Sequence, residues 1–255
     1  MQAGTVGLQV ERVLRVGLVC VLLLGCAACA PLANVSGLTG EKGLEVEMSE
    51  GVREGAPVVY VALGDSTGVG VGAQKGGGYV ARLFHRIERA RPGSRLVNLC
   101  VSGATTADVL RGQVASVAAA RPTVVTLAIG INDISHNLTV EQFARNYEQI
   151  IARIREATDA PVVLSNLPDI SYAPVVPAYM REEARRRINL FNAAIDALAA
   201  RHRLRLVDAY EPSHRLIPTH PEFFSSDHFH PSQEGYEFWA VVMWPAVREA
   251  IGEDA

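Results

Sequence analysis

Four short segments of the 255-residue chain carry side chains able to do covalent chemistry. They are Gly64-Asp65-Ser66-Thr67-Gly68, Val101-Ser102-Gly103-Ala104-Thr105, Gly130-Ile131-Asn132-Asp133 and Asp227-His228-Phe229-His230-Pro231. A hydroxyl becomes a useful nucleophile when a base lies within hydrogen-bond reach and a third group fixes that base's tautomer. Ser66, His230 and Asp227 can fill these three roles. Charge that grows on an attacked carbonyl oxygen needs donors set in place beforehand. The backbone N–H groups of Ser66 and Gly103 and the side-chain amide of Asn132 can supply them. The chemistry this set would support is acyl transfer through a serine-bound intermediate.

Taken singly, each residue has a plainer reading. Ser66 suits a helix cap, Gly103 and Asn132 suit turns, and Asp227 with His230 suits a loop ion pair. Their common order along the chain argues for a site instead. Asp65 and Asp133 read as backbone ligands rather than as the triad acid. His228, one residue from Asp227, reads as a loop residue. His214, His220, His228 and His230 match no zinc spacing, so neither metal nor cofactor is expected. Cys100 lies in the apolar run Leu96–Val101 and reads as a small core residue, not a nucleophile.

The elements that must hold these residues follow from periodicity. Five apolar runs, Val58–Leu63, Arg95–Leu99, Thr123–Ile129, Pro161–Ser165 and Leu204–Asp208, predict strands, most of them covered on both faces. Between them lie stripes that step by three or four. These are Val80/Leu83/Phe84/Ile87, Leu110/Val114/Val117, Phe143/Tyr147/Ile150/Ile154, Ile188/Phe191/Ile195/Leu198 and Tyr236/Trp239/Met243/Val247. Thr139 and Gln142 form a capping-box pair ahead of the third stripe. Strand–helix alternation predicts a three-layer α/β/α domain over 57–255, with a five-stranded parallel sheet. Ligands of such sheets bind beyond the carboxyl ends of the strands, which is where the first three segments fall. The apolar loop Asn166–Tyr179 after the fourth strand is expected to wall the pocket.

Composition narrows the classes. The chain is 49% hydrophobic with a net charge of −3, which gives no electrostatic footprint for nucleic acid. Arg12 and Arg15 precede the apolar run Val16–Leu24, which is too short to span a bilayer and reads as a signal peptide over 1–25. Leu23-Leu24-Gly25-Cys26 matches a bacterial lipidation box, with Cys26 as the modified residue. Cleavage after Ala30 is the rival reading. Residues 26–56 read as a flexible tether. The expected protein is exported, anchored to a membrane by its N-terminal lipid or secreted, with a monomer favoured.

The four segments resemble, in order, the signature blocks of the SGNH (GDSL-type) hydrolase family, and they span Gly64 to His230. The resemblance implies a flavodoxin-like sheet and ester hydrolysis without a cofactor. It assigns Ser66 as nucleophile, Asp227 and His230 as acid and base, and Ser66, Gly103 and Asn132 as the oxyanion hole. Thr67 stands where the pattern has leucine, a position that performs no chemistry. The substrates implied are lipid acyl esters or O-acyl and O-acetyl glycan esters, small or polymer-bound. A catalytically silent binding protein on the same fold is the alternative.

Two other motifs overlap the first segment. Gly64–Gly68 also fits the G-x-S-x-G elbow, but that elbow needs earlier strands and an upstream oxyanion loop. Gly68–Ala73 fits a dinucleotide-binding glycine pattern, but it begins well beyond the strand, and strand two ends without an acid for a ribose. These glycines are expected to shape the rim of the site.

Overall fold

The five apolar runs become strands, each within a residue or two of its expected limits. The computed structural model describes residues 55–253. The expected leader, Cys26 and nearly all of the expected tether lie outside them. The order is β1 (Val59–Gly64), α1 (Ser66–Val69), α2 (Tyr79–Ala90), β2 (Arg95–Asn98), α3 (Thr106–Asp108), α4 (Val117–Ala120) and β3 (Val124–Ala128). There follow α5 (Ile131–Ser135), α6 (Val140–Ala157), β4 (Val162–Ser165), α7 (Arg181–His202), β5 (Arg205–Val207), α8 (Tyr210–Leu216) and α9 (Gln233–Ala250). All strands are parallel, in the order β2-β1-β3-β4-β5.

Alternation along the strands splits the interior into two layers. Val61 and Leu63 face one layer, which also holds the buried stripes of α6 and α7. Tyr60 and Ala62 face the other, with α2 and α9. Helix α6 begins at the expected capping box and buries Phe143, Tyr147, Ile150, Ile151 and Ile154. Full burial of each such side chain contributes roughly 1.5–3 kcal/mol. Phe143 meets Phe191 of α7 with ring centroids 4.5 Å apart. Central strands β1, β3 and β4 are almost wholly buried, whereas β2 at the edge is half-covered.

One expected helix is broken. The Leu110/Val114/Val117 stripe does not form a regular helix; it runs through α3, a π turn at Val109–Gln113, a 3-10 turn at Val114–Ser116 and α4. The π turn carries Gln113, which is buried and grips both polar groups of Gly64. Its Oε1 accepts from the Gly64 N–H at 2.9 Å, and its Nε2 donates to the Gly64 carbonyl at 2.8 Å. Neither bond has a periodic signature, so the stripe alone could not announce it.

The last residue of β1 is thus tied down two positions before Ser66. Replacing Gln113 with Met leaves the buried Gly64 N–H without this acceptor, which should cost about 1–3 kcal/mol. Urea unfolding followed by circular dichroism reads that loss, and an unchanged midpoint would show that the pair contributes nothing.

Candidate active site

Parallel register sets the strand ends side by side: Gly64 of β1 faces Ala128 of β3, and Ser165 of β4 faces Val207 of β5. Ser66 opens α1 directly beyond β1. It does not cap that helix. Asp65 is the cap, accepting from the Thr67 N–H at 2.9 Å and the Thr67 hydroxyl at 2.8 Å. The departure from leucine at Thr67 therefore adds a hydrogen bond to the neighbour of Ser66.

The chain returns to this point 164 residues later, where His230 Nε2 lies 2.9 Å from Ser66 Oγ. On its other side, His230 Nδ1 lies 2.6 Å from Asp227 Oδ2. An ionised carboxylate only accepts, so Nδ1 carries the hydrogen and the Nε2 lone pair faces the serine hydroxyl. The three-residue spacing has a local cause. Asp227 Oδ1 accepts from the backbone N–H of Phe229 and of His230, at 2.9 and 2.8 Å, and this folds the loop so that Oδ2 meets the imidazole. Ser225 Oγ donates to the same oxygen at 2.8 Å. The sequence reading missed Ser225; a serine two residues before a turn aspartate was its only signal.

Those bonds outweigh the burial that would raise the Asp227 carboxyl, and they hold it at about 2. Its partners, largest first, are the His230 ring, the Phe229 and His230 N–H groups and the Ser225 hydroxyl. Asp65 and Asp133 behave oppositely: burial pushes both upward, against the bonds from Thr67 and Thr106.

Asn132 sits in the first turn of α5, and its amide donates to the Ala104 carbonyl at 2.9 Å, leaving a second N–H. Asp133 accepts from the Thr106 N–H and hydroxyl, tying the 103–106 loop to α5. Gly103 lies in that loop at φ +78°, a left-handed conformation that favours glycine. Asn132 lines one apolar cleft with Ser66 and His230, but Gly103 does not line it. Gly72, at φ +88°, lets the rim turn pack on the histidine loop; a Cβ there would meet the Pro231 carbonyl at 2.7 Å.

The remaining expectations sort by contact. His228 is a loop residue at φ +65° whose carbonyl accepts from the Val175 N–H. His214 pairs with buried Asp169 at 2.7 Å and His220 with Glu222 at 2.9 Å, so the histidines do not converge. Cys100 is half-buried rather than sealed, and burial pushes its thiol well above the usual range. Only the first part of the Asn166–Tyr179 loop walls the cleft, through Asn166, Leu167, Pro168 and Ile170; Tyr179 is 78% exposed. Between β5 and Asp227 the chain forms α8 and two 3-10 turns.

A profile of the GDSL-like lipase/acylhydrolase family matches residues 62–238, from inside β1 to the second turn of α9. The chain belongs to this family. A GDSL-like esterase of Mycobacterium tuberculosis is 29% identical over 203 residues, which cover 77% of this chain and 63% of that protein. The lipase Lip_vut3 from a goat rumen metagenome is 26% identical, with a TM-score of 0.59, over 75% of this chain and 96% of its own. A lipase/acylhydrolase from Enterococcus faecalis gives 26% and 0.59, over 74% and 95%. The five-stranded parallel sheet and its helices are thus those of a GDSL hydrolase fold.

In this GDSL-family chain the acid limb of stability should carry the mark of Asp227. A carboxyl held low in the folded state stabilises fully above its unfolded value, near 4, and loses that contribution as pH falls through about 2. Asp227→Asn should therefore unfold more easily than wild type at pH 6, with the gap closing toward pH 2. Thermal unfolding across that range measures it; a constant gap would mean that the carboxylate charge is not the cause.

Proposed function

We propose that the protein is a serine hydrolase of carboxylic esters. The observation that carries the reading is the unbroken hydrogen-bond chain Asp227–His230–Ser66, opening on a cleft that Asn132 also lines. His230 Nε2 takes the Ser66 proton as Oγ bonds to the ester carbonyl carbon. The Asn132 amide and the N–H groups of Ser66 and Gly103 stabilise the oxyanion. Collapse breaks the bond to the alcohol oxygen, and His230 returns its proton to that leaving group. Water then adds to the acyl-enzyme, again giving a proton to His230; the acid departs and Ser66 regains its hydrogen. Asp227 keeps the imidazole oriented and stabilises its cationic form.

Family membership supports ester hydrolysis; the geometry supports the roles of Ser66, His230, Asp227 and Asn132, whereas that of Gly103 rests on the family resemblance alone. Envelope location belongs to the same proposal and rests on residues 12–31, with Cys26 as the lipidated residue.

Two measurements test the reading. A fluorophosphonate should label the wild-type protein at Ser66 and leave Ser66→Ala unlabelled and inactive on p-nitrophenyl acetate. Asn132→Ala should lose roughly 10²–10³ in kcat, the loss typical of one oxyanion donor. A folded wild-type protein with neither labelling nor turnover would refute the hydrolase and leave the binding protein. For location, Cys26→Ser should move the exported protein from the membrane pellet to the soluble fraction; pelleting unchanged would remove the lipid from the account.

A further inference from the structure

The cleft beside Ser66 continues past the triad and is lined mainly by apolar side chains. It runs between the ends of β3, β4 and β5 and one face of α9. Gly235, Phe238, Trp239 and Val242 line it, and their spacing places them on one face of the helix. Gly235 lies beside Pro231 at the catalytic end. Val242 is seven residues further on, about 10 Å along the axis. Ile170 and Ile217 also line it.

What matters most is the state of the polar groups along this path. Asn166 donates to Asp208 and accepts from the Ala209 and Tyr210 N–H groups. Ser213 donates to the Tyr210 carbonyl and accepts from the Asp169 N–H. Asp65 and Thr67 are engaged with each other. The Trp239 indole N–H is buried and has no partner, and its ring is stacked on Tyr79. No lysine or arginine lines the cleft. Beyond the triad and Asn132, the free polar side-chain atoms are chiefly Asp65 Oδ2 and the second Asn166 amide N–H, set in a lining that is otherwise mainly apolar. A polar ligand here would lose most of its water without replacement, whereas a hydrocarbon chain loses nothing.

We infer that this slot is an acyl-chain site, that the substrates are esters of medium-length aliphatic acids rather than acetyl esters, and that Val242 and Ile217 limit the chain length. The inference rests on the serine ester hydrolase reading and specifies its acyl side. The chain carbons enter behind the carbonyl held at Ser66 and run along α9 toward Val242. Each methylene buried in this way should raise kcat/KM about fourfold until the slot is full.

The test compares p-nitrophenyl acetate, butyrate, octanoate and palmitate on wild type, Val242→Trp and Ile217→Trp. The readout is the octanoate-to-acetate ratio of kcat/KM, which is insensitive to the fraction of enzyme correctly folded. Wild type should favour octanoate over acetate by at least fiftyfold, with palmitate falling back. Both tryptophans should cut that ratio at least tenfold. A wild type that turns over acetate but gains nothing with chain length overturns the acyl site and leaves the hydrolase standing. A chain-length gain that neither tryptophan reduces overturns the placement along α9. Absence of turnover on every ester, with no fluorophosphonate labelling, overturns the hydrolase reading and this inference with it.

Discussion

The imidazole of His230 is the point at which the two ends of the domain meet. It bonds forward to a serine at the end of the first strand and backward to an aspartate in its own loop. Neither bond tolerates much displacement, so the sheet, the histidine loop and α9 must share one frame. Several contacts provide it. Helix α9 packs beside α2 in the layer containing Tyr60 and Ala62 of β1. Tyr236, at the start of α9, donates to the Val71 carbonyl at 2.6 Å in the turn after α1. Gly72 allows that same turn to rest on Pro231. Ser66 and His230 are therefore held by elements that touch one another directly.

Three aspartates beside the nucleophile and its donors show how surroundings divide one side chain among different tasks. Asp65 and Asp133 are sealed and satisfy backbone and hydroxyl groups that shape α1 and the 103–106 loop. Asp227 keeps 28% of its side chain exposed and gathers four donors. Burial without enough donors favours the neutral acid, and donors converging on one carboxylate favour the anion. Of the three, only Asp227 combines a firm negative charge with contact to the imidazole, as the proposed triad requires of its acid. Proximity in sequence is a poor guide here, for Asp65 adjoins the nucleophile and serves only as a scaffold.

Sequence made the framework legible because strands and amphipathic helices are periodic. The apolar run Val58–Leu63 and the stripe Phe143/Tyr147/Ile150/Ile154 each repeat a local rule that needs no knowledge of the partner. The Asp227–His230 pair was legible for a related reason: its spacing is a local turn, closed by backbone N–H groups of the same loop. Gln113 was not legible, because its partner is the Gly64 backbone, 49 residues away, and a π turn interrupts the stripe that carries it. The wall of the cleft was only half legible. Pro168 and Ile170 lie in the apolar loop, but Phe238 and Val242 share a helix with the core stripe Tyr236/Met243/Val247 and face a different side.

That double duty of α9 links stability to selectivity. A helix that buries Tyr236, Ala240, Met243 and Val247 cannot shift far without opening the core. Its other face, carrying Gly235, Phe238, Trp239 and Val242, is therefore a rigid wall. Rigidity suits an apolar slot, since discrimination there comes from volume and not from directed hydrogen bonds. Most directed bonds near the slot are already spent inside the protein, with Asn166 holding the start of α8 and Ser213 holding the loop that follows β4. A side chain that satisfies its neighbours cannot also read a ligand. Specificity on this side of the scissile bond is consequently set by how far the slot extends along α9, while the polar machinery at its mouth is the same for every ester that enters.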